Sequence, residues 1–278
     1  MLGRIDVGGG TDTDRGRLYT ALYHSLLHPN VFSDVNGEYT GFDQLVHTAA
    51  DGHAQYANYS GWDVYRSQVQ LIALIAPDVA SDIAQSATNQ SAQGGFFDRW
   101  TVANGGTGVM VGDPLAAVIS SVYAFGATDF DTGQALERMV DGASNADERP
   151  GYRQYNSRGY LPSGLDGIWG TASTTLEYTS ADFAVSQFAR RLGDQDTYDT
   201  FLRRAQNWKN LFNEGNGYLQ PRAEDGSWPS FSPTQTDEYV EGNGEQYTWL
   251  VPYNHRALFD LMGGDAAVTR ASTASSRS

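Results

Sequence analysis

The residues of this sequence best suited to chemistry are carboxylates set among aromatic rings, and they fall in a few short stretches. In YVEGNGEQYTWLVPYNH, residues 239–255, Glu241 precedes Gly242-Asn243-Gly244 and then a helical pattern with Gln246, Tyr247 and Trp249. A glutamate packed among aromatic rings is expected to hold its proton to higher pH, as a general acid must. Glu245 is a nearby competitor that could simply cap the helix. In ASTTLEYTSADF, residues 172–183, Glu177 lies at an apolar helix start, where a carboxylate needs a partner or a substrate.

YSGWDVYRSQ, residues 59–68, places Trp62, Asp63 and Arg66 where a loop becomes a helix. Asp63 in the first turn can be a plain cap, or can pair with Arg66 three residues on. The alternative is a Trp platform beside an Asp that takes two sugar hydroxyls. Spacing alone gives the structural roles a slight edge. YTALYHSLLHPNVFSDVNGEY, residues 19–39, holds His24, His28, Asp34, Asn36 and Glu38. HSLLH lacks the glutamate of a zinc-protease HExxH, so the two histidines read as core and cap residues. Asp34, Asn36 and Glu38 have the spacing of the start of an EF-hand loop, but the later Gly and Glu are misplaced. That segment reads as a structured loop, and no metal ligand is assigned.

No GxSxG elbow, phosphate loop or dinucleotide glycine motif is present. Hydrolysis by paired carboxylates is the reaction class that this inventory best permits. A net charge of −15 repels phosphate backbones and argues against a nucleic-acid partner. The chain has no cysteine, which excludes disulfides, thiolate metal sites and a cysteine nucleophile. No apolar run approaches the ~20 residues that span a bilayer. The N-terminal MLGRIDVGGGTDTDRGR has no signal-peptide core.

The elements that must position these groups are helices. Asp113 as cap and Pro114 in the first turn predict a helix with Leu115, Val118, Ile119, Val122 and Tyr123 on one face, ended by Gly126. Val185, Phe188, Ala189 and Leu192 stripe a second, which runs to Gly193. A third is predicted at about 196–212, with others near 16–27, 62–75, 78–91 and 132–142 and a last one at 246–262, kinked at Pro252. About eight paired antiparallel helices predict an all-α domain. Segments 28–61, 93–112, 145–173 and 213–245 are long loops rich in Gly, Asn, Asp, Trp and Tyr. Such loops tend to be functional, and their mix of rings and polar groups suits sugars. Any single Trp has about even odds of merely anchoring a loop.

At these residues the sequence resembles glycoside hydrolase family 92, the exo-acting α-mannosidases. The matching segments include LGRI, YTALYHSLLHPNVFSDVNGEYTGFD, YSGWDVYRSQ, GDPLA, STTLEYTSADF, RAQNWKNLF, GYLQPR, DGSW and VEGNGEQYTWLVPYN. They cover about residues 2–263. The resemblance implies an N-terminal β-sandwich followed by an (α/α)6 barrel, and removal of terminal α-linked mannose from glycans with inversion, assisted by Ca2+. By motif, Glu241 of VEGN would be the general acid, and Trp62 and Asp63 of GWD would line the subsite for the terminal mannose. Arg66, Glu177, Asn243, Gln246 and Trp249 are weaker substrate-binding candidates. The family's general base and main calcium ligands lie in downstream segments that these 278 residues do not include.

The expectation is therefore an incomplete (α/α)6 barrel over 1–264, without the β-sandwich and inactive by itself. Residues 265–278 are expected to be a disordered tail. Its RASTASSRS can be encoded by a string whose shifted frame reads Arg-Leu-Asp-Gly-Leu-Phe-Thr-Lys, so the tail could be out of frame. The alternative function is a mannose-binding pseudoenzyme. The resemblance implies a secreted or periplasmic parent protein.

Overall fold

Proline in the first turn and a left-handed glycine just past the last bracket the longest helix of the N-terminal region. The computed structural model describes residues 1–269, and the fold is all-α with short hairpins in the loops. The helices are α1 (Asp12–His24), α2 (Val69–Ile75), α3 (Pro77–Gly94), α4 (Pro114–Ala124), α5 (Thr132–Gly142), α6 (Tyr152–Arg158), α7 (Thr171–Leu192), α8 (Gln195–Arg204), α9 (Gly244–Tyr247) and α10 (His255–Leu261).

The chain divides into two compact units. The first unit holds Met1–Val109, Asp113–Ala143 and Arg191–Gly193. Its core is α3, packed by α2, α4 and α5. Pro77 opens α3 and Gly95, at φ 91°, caps it. The buried face of α3 is small: Ala80, Ile83, Ala84, Ala87 and several Ser and Thr. Its Thr88 hydroxyl returns to the carbonyl of Ala84, so a polar side chain is satisfied inside the core. Ahead of α2 the chain winds one π-helical turn, Val64–Gln68.

The second unit holds Met110–Gly112, Ser144–Arg190 and the chain from Asp194 onward. Helix α7 is buried on almost every side from Thr171 to Ala189. Its hydroxyls again bond back to its own backbone, as Thr175 does to Thr171 and Thr179 to Leu176. Asp182 of α7 is fully buried and accepts from Arg149 at 2.6 Å, Tyr155 at 2.7 Å and Arg204 at 3.2 Å. Tyr155, Leu161 and Tyr178 form an apolar cluster beside it, joined by Leu165 and Ile168.

Several sequence expectations change. Asp113 stands at the N-cap of α4 without making a side-chain capping bond. The helix predicted at 196–212 is α8 followed by a 3-10 segment, Ala205–Leu211. The kink predicted at Pro252 is a full break between α9 and α10. Helix α6, held between left-handed Gly151 and Gly159, lies inside the predicted loop 145–173. His24 and His28 are exposed, not core. Residues 265–269 are helical, within the segment expected to be tail. The rest of that expectation, 270–278, lies outside the described residues.

Candidate active site

In the second unit the site is built around Glu241. Val240 is fully buried, and its backbone is held on both sides. Its amide donates to Ser173 Oγ of α7 at 3.1 Å, and its carbonyl accepts the Tyr247 phenol at 2.6 Å. Glu241 follows in the left-handed region, at φ 52°, where a residue with a Cβ is uncommon. Its side chain is exposed. This corrects the expectation of a glutamate packed among rings: Tyr239 and Tyr247 are buried with their ring centroids 5.5 Å apart, while Glu241 is exposed. The turn after Glu241 is tight because Gly242 lies against Tyr247 and Gly244 against Phe231. A Cβ at either glycine would come within 2.8 and 2.6 Å of those rings.

Asn243 and Gln246, read as weaker sugar contacts, form a reciprocal capping box at the start of α9. Asn243 Oδ1 accepts the Gln246 amide and Gln246 Oε1 accepts the Asn243 amide, both at 3.1 Å. Their side-chain oxygens thus serve the helix. Trp249 lines a cleft of about 160 Å³ with Asn216, Tyr218 and Glu245. Glu241 is not among that cleft's residues, so the structure brings Trp249 to the competing glutamate. Burial raises the Tyr218 phenol, and the Glu245 charge adds to it. Glu177 is buried on α7, with its Cβ packed against Gly112, where φ is 90°.

The sequence reading missed Glu238, three residues before Glu241 and also left-handed, at φ 69°. Its carboxylate accepts from Ser163 Oγ (2.8 Å), Gly164 N (2.7 Å), Thr171 N (3.1 Å) and Thr171 Oγ1 (2.5 Å). Burial pushes this carboxyl up, but the Thr171 and Ser163 hydroxyls and the two amides outweigh it and hold it below its ordinary value. Nothing local in DEYVEGN marks Glu238, because its partners lie 67 to 75 residues away.

In the first unit, Gly61-Trp62-Asp63 turns the loop into the π-helical segment. A Cβ on Gly61 would lie 2.5 Å from the Arg99 carbonyl, so only glycine fits this approach. Trp62 is buried, at 4% exposure, and the Arg66 guanidinium sits 4.6 Å from its ring centroid. A ring so covered is not an open platform, which corrects that reading. Asp63 neither caps nor pairs: it makes no side-chain capping bond, and Arg66 is turned to the indole. Its carboxylate is exposed. The local roles for Asp63 therefore fall away, and an available carboxylate remains.

Among the described residues, no three His, Asp or Glu side chains gather as a cation site. Asn36 and Glu38 bond to one another in a turn, with Asn36 Nδ2 donating to Glu38 Oε2 at 2.8 Å. The described residues do not by themselves form a calcium cage. No helix of the described residues is long and apolar enough to cross a membrane.

An all-α chain with exposed carboxylates on stiffened loops fits a glycosidase catalytic domain. The glycosyl hydrolase family 92 catalytic domain matches residues 1–271, and the chain belongs to that family. Its structure is similar to that of the family GH92 α-mannosidase BT3965 from Bacteroides thetaiotaomicron, with 28% identity and a TM-score of 0.90 over 97% of this chain. A structure of that enzyme in complex with mannoimidazole gives 28% identity and a TM-score of 0.89. The inverting mannosidase BT2199 from B. thetaiotaomicron VPI-5482 gives 29% identity and a TM-score of 0.89, again over 97% of this chain. The chain spans only 36% and 37% of the length of BT3965 and BT2199. No curated protein matches it.

Proposed function

We propose that this chain is the acid-bearing part of an exo-α-mannosidase that removes terminal α-linked mannose from glycans with inversion. The observation that carries the reading is Glu241: an exposed carboxylate in a left-handed turn, preceded by a residue, Val240, that is hydrogen-bonded through both its amide and its carbonyl. A general acid must reach the leaving oxygen from a fixed position. The VEGN segment is where the family resemblance puts that acid. Asp63 supplies a carboxylate for the hydroxyls of the terminal mannose, with Trp62 and Arg66 as its support.

Inversion also requires a carboxylate that activates water, roughly 6.5–9.5 Å from the acid. By resemblance, that base and the calcium ligands belong to segments outside these 278 residues. On this reading no turnover is expected of the 278 residues alone, and the resemblance implies a secreted or periplasmic parent enzyme.

The test has two arms. The 278-residue chain with calcium is offered α-linked mannosides, and no mannose is expected. The chain produced together with the coding sequence flanking it in the gene is expected to release mannose of inverted configuration, read by NMR. Release by the chain alone overturns its inactivity. No release in either arm overturns the mannosidase reading. Mannose binding without turnover in both arms would support the pseudoenzyme, which the free Asp63 carboxylate favours.

A further inference from the structure

We propose that Glu238 is a positioning residue that docks the Glu241 loop onto the first turn of α7; the role rests on the reading of Glu241 as the acid. The geometry is a row of contacts ending one residue before Glu241. The Glu238 carboxylate spans two segments, taking Ser163 and Gly164 with one oxygen and Thr171 with the other. The Glu238 carbonyl accepts the Ser173 amide at 3.3 Å. Ser173 Oγ then accepts the Val240 amide and donates to the Gly170 carbonyl at 2.9 Å. Two left-handed residues within four, Glu238 and Glu241, give the loop its path.

The charge of Glu238 suits this place. Thr171 is the first residue of α7, and its amide is one of the helix's unpartnered N-terminal donors. A carboxylate there satisfies the donor and meets the positive end of the helix. Glu238 is thus a distant cap for α7, and the same group fixes the acid-bearing loop. A glutamine would replace an acceptor oxygen by an NH2 group facing N–H and O–H donors.

The experiment is amide hydrogen exchange on the 278-residue chain and its Glu238→Gln variant. The Ser173 and Val240 amides are decisive, because neither bonds to the carboxylate that is changed. In the variant they are expected to exchange about tenfold faster or more, while α10 is unchanged. Faster exchange confined to Gly164 and Thr171, or none, overturns the proposal. Thr171→Val removes one hydroxyl donor and covers the case in which Glu238→Gln fails to fold. It is expected to quicken Val240 with α10 unchanged, and an unmoved Val240 counts against the role.

A pH series adds a readout that a neutral cap would not move. A carboxyl held below its ordinary value contributes its docking above the unfolded pKa, and the contribution is lost as pH falls through the folded one. Corrected for intrinsic rates, Val240 exchange in the wild type should quicken below the ordinary glutamate range. In Glu238→Gln it should show no such step, and a matching step there overturns the proposal. None of these readouts needs turnover. Failure of the docking leaves the acid role of Glu241 to its own assay, and failure of the acid role leaves the docking measured.

Discussion

Tyr247 donates its phenol to the carbonyl of Val240 at 2.6 Å, from seven residues further along the chain. With Ser173 on the amide side, neither of the two peptides flanking Val240 can rotate without breaking a buried hydrogen bond. A left-handed non-glycine residue costs on the order of 1–3 kcal/mol and persists only where its surroundings determine it. Val240 is where the surroundings do so.

Glu241→Gln should therefore remove the acid and leave the loop in place. In the enzyme produced with its flanking coding sequence, turnover of an unactivated mannoside should fall by about 10²–10⁴-fold. An aryl mannoside with a good leaving group should lose far less. Equal losses on both substrates would deny Glu241 the acid role.

Asp63 separates binding from stability. Because it neither caps nor pairs, Asp63→Ala should shift unfolding free energy by no more than about 0.5 kcal/mol in urea. A capping residue would cost about 1 kcal/mol. Mannose affinity, measured by calorimetry, should fall about tenfold or more for the lost charge-assisted bonds.

Asp182 is the opposite case. It is wholly buried, and its loss removes the 2.6 Å pairing to the Arg149 guanidinium, also 0% exposed, together with the bonds from Tyr155 and Arg204. Asp182→Ala should cost about 3–5 kcal/mol, read as a lower urea midpoint. A loss below about 1 kcal/mol would show that the network carries no such weight.

His53 lies 2.6 Å from Asp82, in a cleft of about 330 Å³ that Asp129 also lines. The Asp82 hydrogen bond raises the imidazolium pKa, burial opposes it, and the Asp82 and Asp129 charges add to the rise. Because the folded value is the higher one, the interaction is fully present below the unfolded pKa of about 6.5 and is lost as pH rises through the folded one. An NMR titration should place His53 above the free imidazole, and Asp82→Asn should bring it down. An unmoved titration in that variant would remove Asp82 as the cause.

Most of the helices were legible because their apolar spacing is local. Thr132–Gly142 was read to the residue, and the stripe of Val185, Phe188 and Ala189 located α7. Helix α6 was not, since two glycines eight residues apart look like a loop. In the site, VEGN and GWD were visible as motifs, while their geometry was not. The exposure of Glu241 depends on Ser173, 67 residues from Val240. The stacking of Arg66 on Trp62 depends on a π-helical turn that no periodicity marks. Asn243 and Gln246 had the three-residue spacing of a capping box, a signal available in the sequence and not used.

The chain has one lysine, Lys209, exposed on the 3-10 segment and 5.8 Å from the ring of the buried Trp208. With the terminal amine blocked, an amine-reactive dye would attach at a single known point. The neighbouring indole would quench or release that dye as the second unit opens. A protein so poor in lysine thus carries a built-in address for single-molecule fluorescence, without an engineered cysteine.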